Sequence, residues 1–369
     1  MPQWCEFSEA GRVSRLRPPL ECVGGVRLSV DTVSVMTDWV QEAQDLTDEV
    51  LRPAAAEVDR SGKIPPSHFA ALRDRGFYGF AFATTDRVNT LADVGEILVS
   101  GCLATAFVWA QHHGTLLRMV MSRNDTLKAR YLADLRSGAV TAGVSGSGYA
   151  NPENPLIVAT ETDDGYTITG HAPFVTGWGL VDVLGVTAYD TRAQKTVTFL
   201  MDATDGPNIH ANRISLSAAD ASNTVELTFD EHHVPHASVI HVRKARRGGL
   251  SLADRLVLRL NGSLALGVAR ACLTEADHTG HPTPQLWETH TTIREALNNA
   301  ATGDGDIHDA RAHASQFTVT AATYVATAAG SRSVQRGEPT ERLIREAAFS
   351  MVCTTTPEIK SRILTTRHA

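Results

Sequence analysis

The stretch HAPFVTGWGLVDVLGVTAY, residues 171–189, sets an aromatic, a hydroxyl, a glycine and a second aromatic close together as Phe174, Thr176, Gly177 and Trp178. An apolar strand pattern, VDVLGVTA, follows directly. An aromatic face with a hydroxyl at its edge suits a flat heteroaromatic ring, which needs a surface to stack on and a partner for its polar rim.

Outward from that cluster, residues 140–240 are rich in Thr, Val, Gly and Asn/Asp, with alternation in GYTITG, KTVTFLMD and NTVELTFDEHHVP between turn residues such as Asp163, Asp164 and Gly165. The pattern predicts a compact antiparallel β domain. On either side the period is helical. VMTDWVQEAQDLTDEVLRPAAAEVD places apolar residues three and four apart, and Ser67 to Arg75 predicts a short helix closed by Gly76. Residues 91–121 are apolar almost all round, as for a helix inside a bundle. From Ser251 the helical period returns, with Asp304 or Asp306 and Pro339 where helix starts want them. The predicted fold class is α+β: a tail over 1–30, an all-helical domain over 31–138, an antiparallel β-barrel-like domain over 139–245 and a helical bundle over 246–369.

A formal charge of −7 over 369 residues leaves no basic excess to neutralise phosphates, which argues against nucleic acid as the main ligand. The run Arg243, Lys244, Arg246, Arg247 reads as a solvated loop. Five cysteines without CxxC spacing argue against a disulfide framework and a zinc site, and point to a reducing cytoplasm. No apolar run approaches the roughly 18 residues of a membrane span, and the opening residues lack a signal-peptide core. GxGxxG after a strand, GxxxxGK[ST], HExxH and GxSxG are all missing. His112 and His113 read as packing residues, since neighbours on a helix point to different faces. His232 and His233 read as surface residues near a turn, and His308 and His313 lack a third ligand. VSGSGYANPENP, residues 144–155, is a loop whose amides and hydroxyls can hold an anion or the polar edge of a ring.

FAALRDRGFYGF, GVSGSG, PFVTGWGLVDVLGVTAYD, SNTVELTFDEHHVP and LNGSLALGVARACL together resemble, in order, segments of the acyl-CoA dehydrogenase superfamily, over roughly residues 35–365. The resemblance implies FAD between the β domain and the bundle, and α,β-dehydrogenation of an acyl-CoA thioester with hydride transfer to the flavin. It places Val144, Ser145, Phe174, Thr176 and Gly177 at the cofactor and Ser145 and Arg259 at the substrate. It also implies an electron-acceptor flavoprotein as partner and a homo- or hetero-oligomer.

Two departures stand out. The family's final segment, approximately Tyr-Glu-Gly-Thr-x-Glu-Ile, aligns with CTTTPEI so that Thr354 stands where the usual base would be, Thr355 replaces the glycine and Glu358 matches the second Glu. Some members carry the base early in the first bundle helix, as an acid followed by Arg. Asp254-Arg255 resembles that pair, about three residues or one helical turn early, so Asp254 is the candidate catalytic carboxylate, against its ordinary use as a helix-start acid. The Arg-x-x-Phe-Gly…Gln stretch that contributes to a neighbouring subunit's FAD is also missing from HTGHPTPQLWETHTTIREAL. A flavin monooxygenase on the same fold, which needs no α-proton base, and a non-catalytic partner subunit are the alternatives.

Overall fold

The structure is a computed structural model that describes residues 37–80, 86–146, 154–244, 250 and 252–366. Asp38 opens the first helix, α1 (Trp39–Leu46), by accepting from the amides of Val40 and Gln41. The helix runs through a widened π turn at Thr47–Leu51 into α2 (Arg52–Ser61). That turn sits just ahead of Pro53, whose missing N–H and bulky ring disfavour regular α geometry one turn back. Helix α3 (Pro66–Asp74) closes as expected at Gly76, with φ +80° and the Phe77 amide returning to the Leu72 carbonyl.

The apolar run over 91–121 is two helices rather than one, α4 (Asp86–Gly101) and α5 (Leu103–Val120), parted at Cys102 with φ −153°. At the break the end of α4 presses against the π turn: a Cβ on Gly101 would lie 2.8 Å from Thr47 Cγ2 and 2.9 Å from Leu51 Cβ. Helix α6 (Asp125–Ser137) is capped by Asn124 and ends at Gly138 in the left-handed region.

Eight strands form one sheet: β1 (Ala142–Ser145), β2 (Ile157–Glu161), β3 (Gly165–Val175), β4 (Val183–Asp190), β5 (Lys195–Asp202), β6 (Ile209–Arg213), β7 (Val225–Pro235) and β8 (Val239–Lys244). Their order is β6-β7-β3-β2-β4-β5-β8, with β1 also on β4. The sheet is mixed rather than purely antiparallel, since β1 and β2 each pair parallel with β4 while the other pairings are antiparallel. Strand β4 is buried at every position, as a central strand covered on both faces must be. His232 and His233 lie within β7 itself, beside Glu231 at φ 48°.

His112 joins helix to sheet. Its Nδ1 accepts from the Ala142 amide at 3.0 Å, which leaves the proton on Nε2, 3.0 Å from the Leu135 carbonyl. Burial pulls its pKa down to about 4, so it is neutral in the folded protein.

The chain ends in α7 (Leu252–His278), α8 (Pro284–Thr302), α9 (Ile307–Ala329), α10 (Pro339–Val352) and α11 (Pro357–Thr366). Asp306 caps α9 and Pro339 opens α10. Despite its arginines, α7 is long and apolar enough to cross a membrane by length and composition, which the search for an unbroken apolar run missed; 72% of the qualifying stretch is buried inside the fold. It lies directly on α4. A Cβ on Gly267 would come within 2.5 Å of Val99 and 2.6 Å of the Glu96 carbonyl, and Ser263 Oγ donates to the Ala92 carbonyl. Glu96, whose carboxyl pKa burial pushes up, lies 3.7 Å from Arg294 and 3.9 Å from Arg270, cations that tie α4 to α8 and α7, while His290, which burial pulls down to about 4 and keeps neutral, lies at 3.4 Å.

Two outcomes follow from this packing. Gly267→Ala should lower unfolding free energy in urea by about 1–3 kcal/mol, the usual cost of overpacking. For His112, whose folded pKa lies below the unfolded value of 6.5, stability is complete above pH 6.5 and is lost as pH falls toward 4. Urea titrations across that window should show a loss of roughly 3 kcal/mol from this group, diminished in His112→Gln.

Candidate functional site

The 176–178 turn is held by the segment just before β7. Thr176 is buried, and its Oγ1 lies 3.2 Å from Thr224 Oγ1, which is 3.0 Å from Ser222 Oγ, giving a chain of three hydroxyls. The Gly177 amide donates to the Ser222 carbonyl at 2.9 Å, and Asn223 Nδ2 donates to the Trp178 carbonyl. Asn223 sits at φ 47°, a region that Asn tolerates better than most residues. Gly177 itself has φ +90°, and a Cβ there would meet Val181 and Val108 at 3.2 and 3.3 Å. The glycine therefore lets β3 turn sharply against α5.

Strand β1 reaches the same place. A Cβ on Gly143 would lie 3.3 Å from the Thr176 carbonyl, and Thr115 Oγ1 of α5 donates to the Gly143 carbonyl at 2.6 Å. Val144 and Ser145 follow, with Ser145 Oγ buried and without a hydrogen-bond partner. The structure thus brings β1, which carries Val144 and Ser145, to the turn that carries Thr176 and Gly177. Phe174, one strand position from the buried Val175, is 61% exposed, an unusual state for so large an apolar side chain beside a buried hydroxyl. Residues 147–153 of the glycine-rich loop lie outside the described residues.

A second group of polar residues lies within the bundle. Arg259 of α7 is fully buried, and each nitrogen has a partner: Nε donates to Asn298 at 2.6 Å, Nη1 to Ser263 at 3.2 Å and Nη2 to Asp93 at 3.2 Å. Arg311 of α9, also buried, donates from Nη2 to Thr354 Oγ1 at 3.2 Å. Burial, with Arg259 adding its like charge, pushes Arg311 down to about 10, which leaves it a cation at neutral pH. Thr354 lies between α10 and α11 at φ 55°, a costly conformation for a β-branched residue. Asp254, on the first turn of α7, faces Arg243 of β8 at 3.7 Å, and its side chain is 34% exposed. It lies five residues from Arg259, and five helical steps turn a side chain by about 140°, so the two point to different faces of α7.

Sequence reasoning missed Ser222, Thr224 and Arg311. The only signal for Arg311 was a lone guanidinium in the small-residue run DARAHAS of α9. A surface cavity of about 760 Å3, lined by Met121, Arg123, Tyr166, His236 and Arg243 among others, touches these groups only through Arg243, the partner of Asp254.

No family model matches the chain. It is 27% identical over 259 residues to benzylmalonyl-CoA dehydrogenase of Aromatoleum aromaticum, covering 65% of this chain and 68% of that protein. It is 23% identical over 363 residues to an acyl-CoA dehydrogenase of Bacillus subtilis, covering 87% and 94%. Among solved structures, butyryl-CoA dehydrogenase of Megasphaera elsdenii superposes with a TM-score of 0.72 at 19% identity, over 90% of this chain and 98% of that one. Helices, mixed sheet and helical bundle in this order are the acyl-CoA dehydrogenase fold, which the chain shares with butyryl-CoA dehydrogenase.

Gly177→Ala should lower stability by about 1–2 kcal/mol in chemical denaturation, since it combines a left-handed backbone with a crowded Cβ.

Proposed function

We propose that the protein is an acyl-CoA dehydrogenase-type flavoprotein that oxidises an acyl-CoA thioester between its α and β carbons. The observation that carries the proposal is the fold, matched over nine-tenths of the chain by butyryl-CoA dehydrogenase and joined to the turn of Phe174, Thr176 and Gly177. That turn fits FAD: Phe174 offers an exposed aromatic face, Thr176 a hydroxyl fixed by Thr224, and Ser145 a buried hydroxyl in want of a partner. When bound, FAD supplies the acceptor for the β-hydrogen.

The chain's own residues have two tasks. Phe174, Thr176, Gly177, Val144 and Ser145 orient the ring and the thioester, with Arg259 keeping the adjoining face of α7 in register through Asn298 and Asp93. A base must remove the α-proton, which is weakly acidic even beside a thioester. The Thr354 hydroxyl cannot do so at neutral pH. Asp254 is the carboxylate proposed for that step, and its use requires it to turn from Arg243. An electron-transfer flavoprotein is the proposed acceptor of the electrons. We place the protein in the cytoplasm, in keeping with the free thiols of Cys102, Cys272 and Cys353. Exposed Val334, Ile344, Val352 and Leu364 on the bundle support an oligomer.

Purified protein should be yellow, or become so with FAD, and anaerobic addition of a suitable acyl-CoA should bleach its visible band. A protein that stays colourless after FAD is added contradicts the proposal. Oxygen consumption with externally reduced flavin, without bleaching by any thioester, would instead indicate a monooxygenase.

A further inference from the structure

Arg311 is a buried cation without a counter-ion. Its Nη2 has the Thr354 hydroxyl, whereas Nε and Nη1 have no hydrogen-bond partner. Among the described residues no carboxylate lies within ion-pair distance of it. Asp93 is taken by Arg259, and Asp306 and Asp309 face Arg362. The neighbouring Cys353 does not supply the charge, because burial pushes its thiol up to about 12 and keeps it protonated. Arg259 has Asp93 and the charge of Glu96 to offset it, whereas Arg311 feels the like charge of Arg259 and has no carboxylate of its own among the described residues. An uncompensated buried charge costs several kcal/mol. The side chain that meets Arg311 belongs to Thr354, which is only half-buried, in a break where Thr355 and Thr356 are half-buried too.

We propose that Arg311 receives a carboxylate carried by the ligand, and that the thioester bound here bears a carboxylate on its acyl part. The inference rests on the acyl-CoA reading above and names the substrate class of that site. Arg311 provides charge-assisted donors, which are stronger than neutral ones. The Thr354 hydroxyl accepts from Arg311 and can donate its own proton to the incoming carboxylate. A carboxylate side chain at position 354 would neutralise Arg311 from within; threonine leaves that cation to the ligand.

The test is calorimetric titration of the full chain with glutaryl-CoA and, as the uncharged probe of similar length, valeryl-CoA. Wild type should bind glutaryl-CoA at least ten-fold more tightly. Arg311→Met should bring glutaryl-CoA down to the level of valeryl-CoA. Thr354→Glu, which keeps the arginine and fills it internally, should do the same and serves if the first variant does not fold. Equal affinities in wild type, or a preference that survives in a folded variant, would overturn the inference while leaving the acyl-CoA reading intact. Binding of neither thioester would overturn both.

Discussion

The close approach of α4 to α7 is the contact on which the rest of the structure depends. It exists because Gly267 has no side chain to hold Val99 and the Glu96 carbonyl away. Once the backbones meet, Ser263 reaches the Ala92 carbonyl, Arg259 reaches Asp93, and Glu96 enters the ring of Arg270, Arg294 and His290. A helix far up the chain thereby becomes part of the C-terminal bundle. Helix α5, which leaves α4 at Cys102, then covers the sheet, with Thr115 on Gly143 and His112 on Ala142. Helical packing and sheet packing meet along α4 and α5, and the turn of Thr176 lies where they meet.

Much of this was legible in the residues themselves. The order of helical, alternating and helical periods predicted the three regions, and Asp306, Pro339 and Gly76 marked helix ends where the structure has them. Periodicity does not report direction, however. An apolar run reads the same whether or not it bends at Gly101–Cys102, and an alternating strand reads the same beside a parallel or an antiparallel neighbour. The parallel pairings of β1 and β2 with β4 were invisible for that reason.

The candidate site divides along the same line. Phe174, Thr176, Gly177 and Trp178 are neighbours in the chain, and their chemistry could be read together. Ser222 and Thr224 stand about 48 residues away, and Arg311 stands 43 residues before Thr354. No local pattern joins a hydroxyl to so distant a partner. Threonine at position 354 reads as the loss of a base only against the family segment that CTTTPEI resembles. Its contact with Arg311 adds a second meaning, since a threonine there supplies no negative charge to a buried guanidinium.

That charge imbalance is the central claim, and a double-mutant cycle in stability tests it most directly. Thr354→Glu measured by equilibrium unfolding at neutral pH should be more stable than wild type by on the order of 1–3 kcal/mol, as a buried cation gains its partner. In an Arg311→Met background the gain should disappear. A Thr354→Glu protein less stable than wild type, or a gain that persists without Arg311, would contradict the account.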